Sequence, residues 1–156
     1  MPFGSHVRSV EPLRDEDVVA AAQCIAIDAE SFPYASAPFA FRAAETYVWV
    51  AREPGHLRVV GFVATHTRRG VMHIDGLAVD ATHRRRGIGR ALLREVVDVS
   101  RARAMHAVAL HVSVANRTAV TLYVSEGFVV RGRLRGFYPA AAFDGETDAY
   151  AMVLHL

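Results

Sequence analysis

The segment Asp80-Ala81-Thr82-His83-Arg84-Arg85-Arg86-Gly87-Ile88-Gly89-Arg90 concentrates the residue types that hold phosphate. A helix start leaves its first N–H groups without partners, and the helix dipole favours negative charge there. Glycine lets backbone approach an anion closely, and arginine adds charge-assisted hydrogen bonds. A dinucleotide loop requires G-x-G-x-x-G, but the third glycine position after Gly87 and Gly89 is Leu92. The G-K-[ST] of a nucleoside-triphosphate loop is also absent. Three arginines directly before G-x-G set the segment apart from an ordinary glycine-bearing loop.

The elements that must position this loop follow from pattern and punctuation. Val7 to Val10 reads as a short strand ending at Pro12. Asp15 is placed to cap a helix that carries Val18, Ala21, Ala22, Ile25 and Ala29 on a helical period to about Asp28. Ser31 to Tyr34 breaks it, and a short helix is expected near Phe39 to Ala44. Thr46–Ala51, Leu57–Thr67 and Val71–Val79, joined by Glu53–His56 and Arg68–Gly70, predict an antiparallel meander. The period then changes. Gly87 to Arg103 presents Ile88, Leu92, Val96 and Val99 on one face and Arg90, Arg94, Asp98 and Arg101 on the other. Ala107–Val114 alternates as a strand. Strand, helix and strand at this spacing predict a parallel βαβ unit. Asn116 caps a further helix that stops at Gly127, and Phe128–Gly132 with Thr147–Leu154 predict a final strand pair. The expected fold is α/β: one domain over 1–156, a mixed sheet with helices packed on it.

Composition narrows the function classes. Of 156 residues, 52% are apolar and 22% charged, a globular profile. The apolar runs are shorter than the ~18 residues of a membrane span, and the N-terminus lacks a signal-peptide layout. Cys24 is the only cysteine, lies in an apolar segment and reads as core, so a cytoplasmic location is expected. Arginine supplies all 18 Lys+Arg positions. The clusters Arg84–Arg86 with Arg90, and Arg131, Arg133 and Arg135, lack the broad, aromatic-interleaved stripe of a nucleic-acid surface. Neither nucleic acid nor membrane is expected as a partner, and no metal site is expected.

Two motifs in order resemble the Gcn5-related N-acetyltransferases (GNAT): Arg84-Arg85-Arg86-Gly87-Ile88-Gly89 after a strand, then Asn116-Arg117-Thr118-Ala119 through Tyr123 to Gly127-Phe128. The resemblance implies the GNAT fold and acetyl-coenzyme A as co-substrate. It places the pantetheine arm and acetyl group on the backbone of Leu77, Ala78 and Val79. The pyrophosphate falls on the amides of Arg85, Arg86, Gly87, Ile88, Gly89 and Arg90, with Arg84 at the motif's first position. Asn116 takes a coenzyme-contact position, and Tyr123 is the acid beside the coenzyme sulfur. The sheet is expected to splay between Val71–Val79 and Ala107–Val114.

Acetyl transfer by direct attack passes through a tetrahedral intermediate and needs a neutral amine. At neutral pH an α-amine (pKa about 8) and a lysine (about 10.4) are mostly protonated, so a base is required. His73 and His111 lie on the two strands expected to flank the acetyl group, and either one, or a water held between them, can serve. Phe32-Pro33-Tyr34 and Phe137-Tyr138-Pro139 resemble the two substrate loops of protein N-terminal acetyltransferases, most closely the ribosomal-protein alanine type. That resemblance makes Phe32, Pro33, Tyr34 and Tyr138 substrate contacts and a peptide or protein N-terminus the acceptor. The bacterial type usually has glutamate where this chain has His111, whereas some eukaryotic enzymes have histidine there. Phe137 replaces the hairpin's first tyrosine. Acetylation of a small-molecule amine is the alternative, given Glu30, Glu45, Asp144, Glu146 and Asp148 near the expected lid. A coenzyme-binding regulatory domain is a third reading. A monomer or homodimer is expected.

Overall fold

A computed structural model of the chain describes residues 9–32, 46–55 and 57–156. The elements are β1 (Ser9–Pro12), α1 (Val18–Ser31), β2 (Thr46–Arg52), β3 (Val59–Arg68), β4 (Val71–Val79), α2 (Ile88–Ala102), β5 (Ala107–Ser113), α3 (Arg117–Ser125), β6 (Val129–Leu134) and β7 (Ala149–His155). Single 3₁₀ turns at Ala81–His83 and Phe143–Gly145 sit in the connections. The seven strands form one sheet in the order β1-β2-β3-β4-β5-β7-β6. β1 to β4 are antiparallel neighbours, β4 and β5 run parallel, and β7 lies antiparallel to both β5 and β6. The mixed α/β sheet expected from the sequence is therefore present. The helix expected near Phe39–Ala44 lies outside the described residues.

Helices cover both faces. α2 packs Ile88, Leu92, Leu93, Val96 and Val97 against Trp49, Val63, Met72 and Val108, and Val120 of α3 joins the same cluster. α1 packs Ala20, Cys24 and Ile27 against Val48, Val50, Phe62 and Ala78 on the opposite face. Cys24 is fully buried, and that burial pushes its thiol up to about 12, so it is core and not a nucleophile at neutral pH. Final strand order follows the side chains. β7 is apolar, with Ala149 and Met152 fully buried, and takes an interior position. β6 (VVRGRL) has its arginines and valines exposed and forms the edge.

Two local details differ from expectation for identifiable reasons. Asp17, not Asp15, caps α1: its side chain accepts from the Ala20 N–H at 2.9 Å. Arg52 reaches from β2 to both Asp17 and Glu11 and fixes that choice. Arg90 does not point freely away from the α2 core. It is half-buried and joins Arg94 in an ion pair with Glu126 at the end of α3.

A register break in β4 shapes everything that follows. Thr65 pairs with Ile74, but Ala64 pairs with Gly76, so Asp75 is an extra residue in the strand. Before the bulge, Met72 and Ile74 face the α2 cluster; after it, Leu77 and Val79 do. Without the extra residue strict alternation would turn Leu77 and Val79 to the other face. The parallel β4–β5 ladder ends at the same point, with Ile74 opposite Leu110 as its last pair.

Leu92 is fully buried at the centre of the α2 contact, whereas Leu57 is 86% exposed. Urea unfolding of Leu92→Ala should show a loss of about 2–5 kcal/mol. Leu57→Ala should stay within about 0.5 kcal/mol of the parent.

Candidate active site

Among the described residues, no strand pairs with β4 on the side of β5 beyond Ile74, while β5 continues to Ser113 paired with β7. The backbone of Leu77, Ala78 and Val79 thus borders a wedge between two strands. This is the splay expected from the sequence.

The loop that follows is held from below by a polar network. Asp80 accepts from the Thr82 N–H and Thr82 hydroxyl at 2.9 Å and pairs with Arg58 at 2.7 Å. Those contacts, the Thr82 N–H foremost, hold the Asp80 carboxyl below its usual range. Buried His83 meets the Thr82 hydroxyl at 2.9 Å and faces Glu53 at 3.4 Å. Arg84 donates through Nε to the Val79 carbonyl at 3.0 Å and reaches the Ser31 hydroxyl. It therefore braces the loop against β4 and α1.

Above that base the backbone turns outward. Arg85 and Gly87 both have positive φ, +64° and +80°. Gly87 caps α2 without a side-chain bond, and the first closed turn is the Ala91 N–H to the Gly87 carbonyl. Among the described residues, the amides from Arg85 to Arg90 have no backbone acceptor outside regular helix or strand bonding. A Cβ on Gly87 would meet nothing within 4 Å. A Cβ on Gly89 would enter a space bounded by Leu77, Val79 and Leu122 at 3.6–3.8 Å. The first turn of α2, the end of β4 and α3 therefore converge on one open cradle. Arg85 and Arg86 are exposed beside it. The Arg90 guanidinium is taken up by Glu126, so only its backbone faces the cradle.

Asn116 caps α3 by accepting from the Ala119 N–H at 3.2 Å, and the residue is exposed. Tyr123, seven residues on, is 7% exposed and packs on Phe128 with ring centroids 5.7 Å apart. Burial pushes its hydroxyl up to about 12, so it stays protonated at neutral pH.

On the α1 face of the sheet, His73 and His111 approach one another across the β4–β5 ladder. His73 lies opposite Ala109, two residues before His111, so strand spacing puts their Cα atoms roughly 8 Å apart. Both rings are held below the usual histidine range. For His73 the causes are burial first and then His66; for His111 the cause is burial. Both are therefore neutral at pH 7 and able to accept a proton.

An aromatic chain continues from His111. Its ring lies 4.8 Å from Phe137, which meets Tyr138 edge-on at 4.9 Å, and Tyr138 meets Phe143 at 5.1 Å. The Tyr138 N–H donates to the Thr147 carbonyl, which fixes the hairpin between β6 and β7. Phe32 is half-buried against the α1 cluster. Pro33 and Tyr34 lie outside the described residues. Sequence reasoning gave Phe137 no role of its own, and it passed over Glu126, His66 and Asp75. Glu126 carries a helix-spacing signal, lying on the helix that must dock on α2. The others become visible only through sheet register.

Comparison with known proteins agrees with this geometry. The Acetyltransferase (GNAT) family matches residues 13–128. Ribosomal protein bS18-alanine N-acetyltransferase of Escherichia coli K12 is 32% identical over 127 residues, covering 81% of this chain and 83% of its own. The crystal structure of the ribosomal-protein-S18-alanine N-acetyltransferase from Escherichia coli matches with a TM-score of 0.80 at 28% identity, covering 94% of this chain and 92% of that one. Arabidopsis thaliana NAA60, solved with a bisubstrate analogue, shares the fold at a TM-score of 0.80 and 24% identity over 94% and 97% of the two chains. The chain belongs to the GNAT acetyltransferase family and is an N-acetyltransferase.

Glu126 links the two helices that carry the cradle. Arg94 first, then Arg90, hold its carboxyl below the usual range against the opposing effect of burial. Its contribution to stability is therefore full above the unfolded carboxyl range near 4.3 and fades as pH falls through the lower folded value. Because both arginines are partly exposed, Glu126→Gln should cost about 1 kcal/mol at pH 7. A thermal melt should show a drop of about 2–4 °C at pH 7 that shrinks below about pH 4.

Proposed function

We propose that this enzyme transfers the acetyl group of acetyl-coenzyme A to the α-amine of a protein N-terminus. The observation that carries the reading is the cradle itself: free first-turn amides, Arg85 and Arg86 beside them, and an unpaired β4 edge leading from the cradle into the sheet. Anionic phosphates suit the amides and the helix dipole, and an extended pantetheine arm suits a strand edge. Acetyl-coenzyme A supplies a thioester carbonyl.

The chain's own residues supply the rest. Backbone N–H groups in Leu77–Val79 stabilise charge developing on the carbonyl oxygen of the tetrahedral intermediate. His111, His73 or a water between them takes the ammonium proton and leaves a neutral amine to attack. Tyr123 hydrogen-bonds the departing sulfur. A hydroxyl at about 12 is a weaker acid than a thiol near 8.5, so its work is to stabilise thiolate charge by donation, with little net proton transfer.

The acceptor reading rests on the hairpin. Phe137 and Tyr138 lie against His111 and form an apolar wall for the first residue of a peptide. Two of the acids that would favour a polyamine are engaged: Asp148 with Arg133 and the Gly136 N–H, and Glu146 with the Asp148 N–H. The similarity to bS18-alanine N-acetyltransferases supports a small N-terminal residue on the acceptor.

Acetyl-coenzyme A turnover on a peptide panel tests the reading. Peptides with free N-termini should be acetylated; the same peptides with a blocked N-terminus and an internal lysine should not. Tyr123→Phe should lower kcat by about 10²-fold while coenzyme binding changes little. Equal turnover of blocked peptides, or wild-type kcat in Tyr123→Phe, would contradict it.

A further inference from the structure

The face of the sheet that carries His73 and His111 also carries two residues with no role so far. His66 on β3 stands directly opposite His73 on β4. Their rings stack with centroids 4.9 Å apart and planes 9° from parallel. On its other side, His66 Nδ1 meets both carboxylate oxygens of Asp75 at 2.8 and 2.9 Å. A carboxylate only accepts, so Nδ1 carries a proton and donates it. Asp75 is the bulge residue of β4, so the break that opens the wedge also delivers this carboxylate to the ring.

As a source of stability the pair is weak, because its side chains are 41% and 45% exposed. As a positioning device it is specific. A stacked pair of imidazoles tolerates one positive charge far better than two. The Asp75 carboxylate contacts the His66 ring and fixes its orientation, while burial and the neighbouring His66 ring both disfavour a proton on His73. Among the described residues, the charged and titratable groups acting on His73 are His66 and Arg68 from β3, Asp75 from its own strand and His111 from β5. His66, His111 and Arg68 disfavour a proton on His73; Asp75 alone favours one. The donors do not converge as metal ligands: no group of three or more such side chains is found among the described residues.

We infer that Asp75 and His66 are positioning residues: Asp75 anchors His66, and His66 holds the His73 ring face-on and neutral, as the proton acceptor of the His73–His111 pair. The inference rests on the base reading proposed above.

His66→Gln removes the stacked imidazole while leaving an amide able to donate to Asp75. Two readouts are taken on the full chain. NMR titration of the His73 ring should show its pKa rising by about half a unit or more in His66→Gln, since the neighbouring imidazole that disfavours a proton on His73 is lost. The acidic limb of the kcat/KM profile with a free N-terminal peptide should move to higher pH by a similar amount, with KM at pH 8 little changed. His66→Lys, which places a cation there without the ring, should return part of the limb shift. An unmoved His73 titration in His66→Gln overturns the inference. So does an unmoved limb in His66→Gln when His73→Gln lowers kcat. If His73→Gln itself leaves kcat and the limb unchanged, the base assignment to His73 fails, and with it the catalytic part of the inference.

Discussion

The structure depends on one extra residue in β4. Asp75 breaks the register with β3 at the point where the parallel ladder to β5 ends. Three consequences follow from that single insertion. The sheet opens, and among the described residues the backbone of Leu77–Val79 has no strand neighbour on the side of β5. Leu77 and Val79 turn to the α2 face, where they bound the cradle beside Gly89. Asp75 itself lands on the opposite face, against His66. A bulge normally weakens a sheet locally, and here the loss is contained. β3 pairs with β4 on both sides of the break, and the sheet continues through β5, β7 and β6 beyond it.

An open wedge needs rigid walls, and the walls are tied by polar contacts at their rims. The Asp80–Thr82–His83 network with Arg58 and Glu53 supports the loop from beneath. Arg84 ties the same loop to β4 and α1. Glu126 ties α3 to α2 through two arginines. The basic residues of this region therefore divide into two groups. Arg84, Arg90 and Arg94 are structural clamps, while Arg85 and Arg86 remain available to an anion. A cavity of about 500 Å³ lined by Leu13, Val18, Tyr47, Trp49, Val99 and Arg103 lies elsewhere, off β4, its loop and β5. The chemistry selects the wedge and not this cavity.

Much of this was legible from residue order. The change from a period-2 meander to a glycine loop and an amphipathic helix predicts the βαβ unit. Asn116 and Gly127 bracket α3, and the loop motif points to an anion. What was hidden is long-range. That β7 lies between β5 and β6 depends on which of two late strands can be buried, and only the assembled sheet compares them. The cap at Asp17 in place of Asp15 is decided by Arg52, far along the chain. A bulge leaves no local mark in V-M-H-I-D-G-L-A-V, so the meeting of Asp75, His66 and His73 could not be read from spacing. Phe137 reaches His111 from a hairpin that is distant in sequence and adjacent in space.

The central claim is that the wedge and its loop, rather than the cavity at Tyr47 and Arg103, receive acetyl-coenzyme A. Backbone amide shifts followed by NMR during a titration with acetyl-coenzyme A test it most directly. The account predicts saturable changes at Leu77–Val79, Arg85–Arg90 and Asn116, with Tyr47–Trp49 and Val99–Arg103 unmoved. Changes centred on Tyr47, Trp49, Val99 and Arg103, with the loop amides unaffected, would contradict it.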